Sequence, residues 1–428
     1  FIKRLIGKPG ETVLIKHGNI FIRKPGETKF HIARKPEKKM EAMLQLVHDT
    51  KYVSKRLLEV GWPLRWQPWS EDGADDSQLW VSDDGGQTYQ TSGGDSDTWL
   101  RYRHIIPSAK DWELIEGGGN PNAKNRSGQL ITDFYPYNAF TSVYRRNMDE
   151  RKYDPKVKPE AYANPMFGRS GPGTLGLNWV GDLALDCDVE IGSETGELLF
   201  RLDRGGTYFV CRIDISTGTA TVTPHGKVSE FASEIDDTRT EILSGGTGIS
   251  GAGVYDVRFA DVDGEVRLWV DGDRVEFDGP ATFNTDGLYP ARSDSDPGDL
   301  APAGIGSRSA ALDVRRLRVL RDVYYVASSS GHEYVGLVDK DVIDRLADSS
   351  WWDDLFRRRG ELRHTLGPDQ FFPMGDNSPQ SSDARMWHDH HYFERELLIG
   401  RAVLIYWPHP WYRPIPYFPN FKRMRLIH

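Results

Sequence analysis

The chain has 428 residues, 38% hydrophobic and 27% charged, with a formal net charge of -9. That length predicts two to four domains at roughly 100 to 200 residues each, and the acidic balance offers no basic footprint for nucleic acid. No run reaches the roughly 18 apolar residues of a membrane helix and no signal peptide is present; Cys187 and Cys211 are the only cysteines, too few for a cysteine-built zinc site or a disulfide-dense scaffold.

The chain opens on "FIKRLIGKPGETV", an apolar strand that carries Lys3 and runs into a turn. A chain that starts mid-strand and without methionine is expected to have lost an upstream part. Through residue 35, short β-like runs alternate with turns, and His17-Gly18-Asn19 between "TVLIK" and "IFIRK" predicts an antiparallel hairpin. Residues 36–60 switch to a helical pattern that stops at Gly61, predicting one or two helices. From 62 to about 170 the sequence is rich in Trp, Asp, Gly and Pro, and reads as irregular structure with short strands. "SDDGGQTY" at 82–89 fits the Asp-box pattern, which marks a tight hairpin without a catalytic role.

Between 172 and 328 the pattern becomes β alternation, with turn signals at Arg204-Gly205-Gly206, Asp263-Gly264 and Asp271-Gly272. Such spacing predicts an antiparallel sandwich. Cys187 and Cys211 share the apolar phase of their strands, which favours two free buried thiols over one disulfide. Acidic residues Asp186, Asp188, Glu190, Asp261 and Asp263 are expected in the solvent phase or in turns. No buried carboxylate pair two residues apart, as a glycosidase needs, is apparent. The hairpin "VYDVRF…GEVRLWVDGDRV" and the strand "VRRLRVLRDVYY" resemble the concanavalin A-like, laminin-G-like jelly roll. The favoured expectation for this sandwich is that it packs or docks a partner, with a glycan ligand as the alternative.

After Ser330 helix, strand and loop return, ending in "ELLIGRAVLIYW", which reads as half-buried sheet. The expected organisation is a mainly β protein with a few short helices: a β-rich core in residues 1–35 and 329–428, interrupted by an irregular insertion (36–171) and the sandwich (172–328).

A lysine in water has a pKa of about 10.4 and serves as a base near neutrality only when desolvation lowers it by about three units, a cost of about 4 kcal/mol. Lys3, flanked by Ile2, Leu5 and Ile6, is placed for that. "FIKRLIGKPGETV" and "FFPMGDNSPQSSDAR" together resemble two signature blocks of the bacterial type I signal peptidases, membrane-bound serine proteases. The resemblance implies a Ser-Lys dyad in which a serine attacks the scissile carbonyl and the lysine takes its proton. Carried over, Lys3 is the general base and Ser381 orients its amine. Arg4, Asp376, Asp383 and Arg385 form ion pairs that fix the loop, and Gly375 and Asn377 complete the Gly-Asp-Asn turn.

The family's nucleophile lies on an upstream Ser-x-x-Pro-Thr block behind a membrane anchor, so this chain is expected to be inactive on its own. The implied partners are signal peptides of exported preproteins and, through that anchor, the bacterial cytoplasmic membrane, with the catalytic region on its outer (periplasmic) face. No cofactor or metal is implied. Ser378 and Pro379 depart from the Arg-Asp pair common after Gly-Asp-Asn, and Ala384 stands where serine is common. "HDHH" at 388–391 reads as a surface loop rather than a metal site, and the aromatic stretch 405–421 suits either a bilayer interface or Pro-rich packing.

Overall fold

His17 and Gly18 both take positive φ, 52° and 85°, so a two-residue turn joins Thr12–Lys16 to Asn19–Arg23. Its twist is the one paired strands accept. Asn19, which the sequence placed in the turn, instead pairs with Lys16. The computed structural model describes residues 2–70, 79–123, 126, 128–133, 176–328, 332–376, 378, 381–387, 390–405, 419–421 and 424–426. Most of the expected irregular insertion beyond residue 133, together with Asn377, His388 and most of the aromatic stretch 405–421, lies outside the described residues.

The chain forms two compact units. The first comprises Phe1–Leu44, Tyr325–Ser329 and Glu361–His428; the second comprises Gln45–Tyr324 and Ser330–Gly360. In the first unit Thr12–Lys16 lies inside a four-stranded sheet between Glu361–Thr365 and Asn19–Arg23, with His31–Ile32 at the edge. Val13, Leu14 and Ile15 are all buried, so this strand is covered on both faces. A second sheet sets Arg4–Gly7 against Gln370–Met374, followed by Phe393–Glu394.

The "ELLIGRAVLIYW" run departs from the half-buried sheet expected of it. Only Leu404–Ile405 pairs, with Arg425–Leu426, while Leu397, Ile399 and Val403 stand exposed. A strand holds only where its backbone groups find partners, and among the described residues this run finds that short one alone.

The second unit is a β-sandwich of two antiparallel sheets. One runs in the order Leu243–Gly246, Thr219–Gly226, Thr207–Asp214, Glu197–Arg204, Ala303–Arg308, Thr98–Tyr102, Trp66–Trp69. The other runs Asp273–Arg274, Glu265–Val270, Gly253–Val262, Leu183–Ile191, Leu312–Arg321, Gln45–Asp49, with Tyr89–Thr91 also paired to Leu312–Arg321. Leu183, Leu185, Cys187, Val189 and Ile191 all enter one core with Phe209, Cys211 and Ile213 of the facing sheet, the period-2 burial the sequence showed. Both cysteines are free and buried, and burial pushes both thiols up. The turns at Gly205-Gly206, Asp263-Gly264 and Asp271-Gly272 take positive φ at both residues, as their sequences require.

Four strands of this sandwich come from before residue 172, in segments read as helix or as irregular. The helical pattern over 36–60 resolves into helix Glu37–Met43, strand Gln45–Asp49 and helix Lys55–Glu59. The middle piece pairs with Leu312–Arg321 and packs Val47 on the core, so tertiary pairing overrides local propensity. Strands Trp66–Trp69, Tyr89–Thr91 and Thr98–Tyr102 are too short for alternation to show. The Asp-box is a tight turn: the Asp84 carboxylate accepts from the Gln87 and Thr88 amides, and Val81 bridges Gln90 beside it.

Candidate active site

Pairing of Arg4 with Met374 and Leu5 with Pro373 brings the start of the chain against the start of the Gly-Asp-Asn block. One residue before Arg4, half-buried Lys3 extends its amine to Ser381 and donates a 2.6 Å hydrogen bond to Ser381 Oγ. Ser381 itself is 8% exposed. Gly375 makes the approach possible. A Cβ on it would lie 2.1 Å from Ser381 Oγ and 3.3 Å from Lys3 Nζ, so no residue with a side chain fits there without displacing the pair.

Two arginine–aspartate pairs flank this contact. Arg4 binds Asp376 through two 2.8 Å hydrogen bonds at a half-exposed site. Arg385 and Asp383 form a pair that is 1% and 0% exposed. Arg385 donates to Asp383 through Nε and Nη2, both at 2.8 Å, and Asp383 also accepts from the Gly375 amide at 3.0 Å. Burial pushes the Asp383 carboxyl up, but these hydrogen bonds and the Arg385 charge outweigh it and hold the carboxyl below the ordinary range. Both loop carboxylates are thus engaged by arginines, and the hydrogen-bond partner of Lys3 is a neutral hydroxyl.

The structure brings Lys3, Ser381, Gly375, Arg4, Asp376, Asp383 and Arg385 into one neighbourhood of the first unit; Asn377 lies outside the described residues. The flanking apolar residues do not enclose the lysine as the sequence suggested. Ile2 is 86% and Leu5 40% exposed, because Arg4–Gly7 is the edge strand of its sheet. What shields Lys3 is the loop carrying Gly375 and Ser381. An amine held 2.6 Å from a hydroxyl that fixes its direction can, once neutral, receive a proton from an attacking group within reach.

Sequence reasoning missed the residues behind the loop. Ser378 is buried and joins Arg385 to Val326, which enters this unit from far along the chain. His391 hydrogen-bonds the Ala384 carbonyl at 2.8 Å, and its ring lies 4.2 Å from that of His364 at a tilt of 33°; the His364 imidazole is pushed down to about 4 by burial and by His391. His390 and His391 are exposed.

The acidic residues of the sandwich are less solvent-facing than expected. Asp186 is 1% exposed because Arg258 and Arg318 of the neighbouring strands close over it. Asp261 and Asp263, two residues apart, are both buried, and burial pushes Asp261 up to about 7 despite Arg204. Asp182, Asp263 and Asp322 bring one carboxylate oxygen each within 4.8 Å of one another, a donor set suited to a hard cation, with Arg204 already paired to Asp182.

A family model described as signal peptidase, peptidase S26 matches residues 337–407. No curated protein matches the chain. Among solved structures, a Caenorhabditis elegans galectin, LEC-6, aligns at 8% identity over 33% of this chain and 83% of its own, with a TM-score of 0.22. The carbohydrate-binding module CBM66 from Bacillus subtilis aligns at 9% identity over 59% and 94%, TM-score 0.26, and the laminarinase from Rhodothermus marinus at 11% over 33% and 66%, TM-score 0.22. The sandwich assignment rests on the strand order and shared core described above. Residues 337–407 are signal-peptidase-like, a stretch that holds Gly375, Asp376, Ser378, Ser381, Asp383 and Arg385 but not Lys3.

Proposed function

We propose that the first unit is the catalytic region of a signal peptidase, a serine endopeptidase that cuts N-terminal signal peptides from exported preproteins with Lys3 as general base. The observation that carries this reading is the 2.6 Å bond from Lys3 Nζ to Ser381 Oγ, made between residues 378 positions apart and belonging to the two blocks that resemble that family. In the reaction, neutral Lys3 takes the proton of an attacking serine hydroxyl while Ser381, accepting one amine N–H, holds the nitrogen lone pair toward it. The carbonyl carbon passes to the serine as an ester, the amine product leaves with that proton, and water then hydrolyses the ester. The attacking serine comes from a Ser-x-x-Pro-Thr block, a pattern that these 428 residues do not contain. On this reading the unit works at the outer face of a bacterial cytoplasmic membrane; among the described residues no helix is long and apolar enough to cross one.

A glycan- or protein-binding role for the sandwich is the second reading. Trp69, Tyr208 and His225 are half-buried on the sheet that holds Thr207–Asp214, with Arg201 over the rings of Trp69 and Tyr208 and His225 stacked on Tyr208, and such aromatic side chains offer a large amphipathic contact area to a ligand. The two readings separate on incubation of the full-length protein with a model preprotein. Peptidase action yields a mature product whose new N-terminus follows a small residue; an intact preprotein leaves the binding role.

A further inference from the structure

Ser378 stands where the signal-peptidase resemblance leads one to expect an arginine, yet it is 2% exposed and fully engaged. Its Oγ accepts from the Val326 amide at 2.9 Å and from Arg385 Nη1 at 2.7 Å, and its carbonyl accepts from Arg385 Nη2. Arg385 Nη1 also donates to the Val326 carbonyl at 2.8 Å. Nε and Nη2 reach Asp383, so each nitrogen of the guanidinium has an acceptor. Val326 is fixed in turn, since the Tyr325 amide donates to the Gly18 carbonyl at 3.0 Å, on the hairpin turn.

These bonds form one buried path: Gly18 to Tyr325 and Val326, then Ser378, Arg385, Asp383 and the Gly375 amide. Gly375 is the residue against which Ser381 and Lys3 meet. We propose that Ser378 is a positioning residue for the dyad, its hydroxyl clamping Arg385, and through Asp383 the Gly375 amide, to the Tyr325–Ala327 segment so that Ser381 is held at Lys3. The hydroxyl is small enough to sit under Arg385 and carries lone pairs for two donors; a longer cationic side chain there would face Arg385 directly. Removing it leaves the Val326 amide and one Arg385 N–H without an acceptor in a buried site. A shift of Ser378 that relieves the deficit reaches Gly375 through Arg385 and Asp383, and Gly375 lies against Ser381.

This inference rests on the peptidase reading, and its test separates the two. Ser378→Ala and Ser378→Thr are made in the full-length protein, with amide hydrogen exchange at Val326 and preprotein cleavage read side by side. In Ser378→Ala the Val326 amide should lose protection at least about tenfold, and kcat should fall about ten- to hundredfold at little-changed KM, one to two unmade hydrogen bonds felt in the transition state. Ser378→Thr should restore both. Unchanged protection of Val326 overturns the clamp. Lost protection with unchanged kcat overturns its positioning role while leaving the dyad standing. A wild-type protein that does not cleave at all sinks the peptidase reading and the catalytic half of this proposal, while the exchange result still judges the clamp.

Discussion

Ser381 fills the space that a side chain on Gly375 would need: a methyl group on Gly375 would lie 2.1 Å from Ser381 Oγ and 2.7 Å from its Cβ. Backbone bareness at 375 is therefore a condition for the hydrogen bond between Lys3 and Ser381, independent of φ. The first residue of the Gly-Asp-Asn block has a steric reason for being glycine.

Gly375→Ala should separate Ser381 from Lys3 and reduce preprotein cleavage by about two orders of magnitude, the scale of a roughly 1 Å misplacement at a reacting group. Steady-state kinetics with a thermal unfolding curve check this. A melting temperature within a few degrees of wild type, with activity lost, separates the displaced dyad from general unfolding.

The two ion pairs of the loop differ in burial, and their variants should differ accordingly. Arg4→Ala removes a half-exposed pair and should cost no more than about 1 kcal/mol of stability. Asp383→Asn breaks a pair that is 1% and 0% exposed, and should cost about 3 kcal/mol or more, because Arg385 stays buried with its charge uncompensated. Since the Asp383 carboxyl is held below its ordinary value of about 3.9, the stability it contributes is present above that pH and is lost as pH falls through the lower folded value. Urea unfolding of both variants across pH 2 to 7 would measure each part, and Asp383→Asn should lose the acid limb that wild type shows.

Asp299 carries the opposite sign. Burial pushes its carboxyl up to about 7 even though the Gly205 and Ala291 amides donate to it. Between about pH 4 and 7 the unfolded chain is ionised at this position while the folded protein keeps the proton. Stability from this group is therefore full below about pH 4 and falls as pH rises toward 7, by on the order of 4 kcal/mol at most. Asp299→Asn should lessen that slope while leaving the share of Asp261, whose carboxyl burial also pushes up to about 7; an unchanged slope between pH 4 and 7 would show the Asp299 carboxylate to be ionised in the folded state.

Cys187 and Cys211 should be unreactive toward a thiol reagent such as Ellman's in the native protein and should both react on unfolding in guanidinium, since each is buried and free with its thiol pushed up. Failure of both to react after unfolding without reductant would mean a disulfide.

Legibility followed period and spacing. The sandwich strands from Leu183 to Arg321 are 8 to 10 residues long at their clearest, enough for Leu183, Leu185, Cys187 and Val189 to announce an inward face, and their turns carry glycine where positive φ falls. Strands of 3 to 5 residues such as Tyr89–Thr91 and Trp66–Trp69 show no such repeat, and Gln45–Asp49 followed a helix closely enough to be read as its continuation. The site residues stood out because two motifs carry them within a few positions of one another. Val326 did not, because its partnership with Ser378 spans 52 positions and exists only once the chain has folded. Asp186 and Asp261 were read as solvent-facing because their covering arginines come from other strands.

Rates of preprotein cleavage by the full-length protein and its Lys3→Met and Ser381→Ala variants test the central claim most directly. The account predicts that Lys3→Met, nearly the same length without the amine, abolishes cleavage, and that Ser381→Ala leaves a reduced rate because the base remains but loses its orienting partner. Cleavage at the wild-type rate by Lys3→Met would contradict it and would leave Lys3 a structural residue with a hydrogen bond to Ser381.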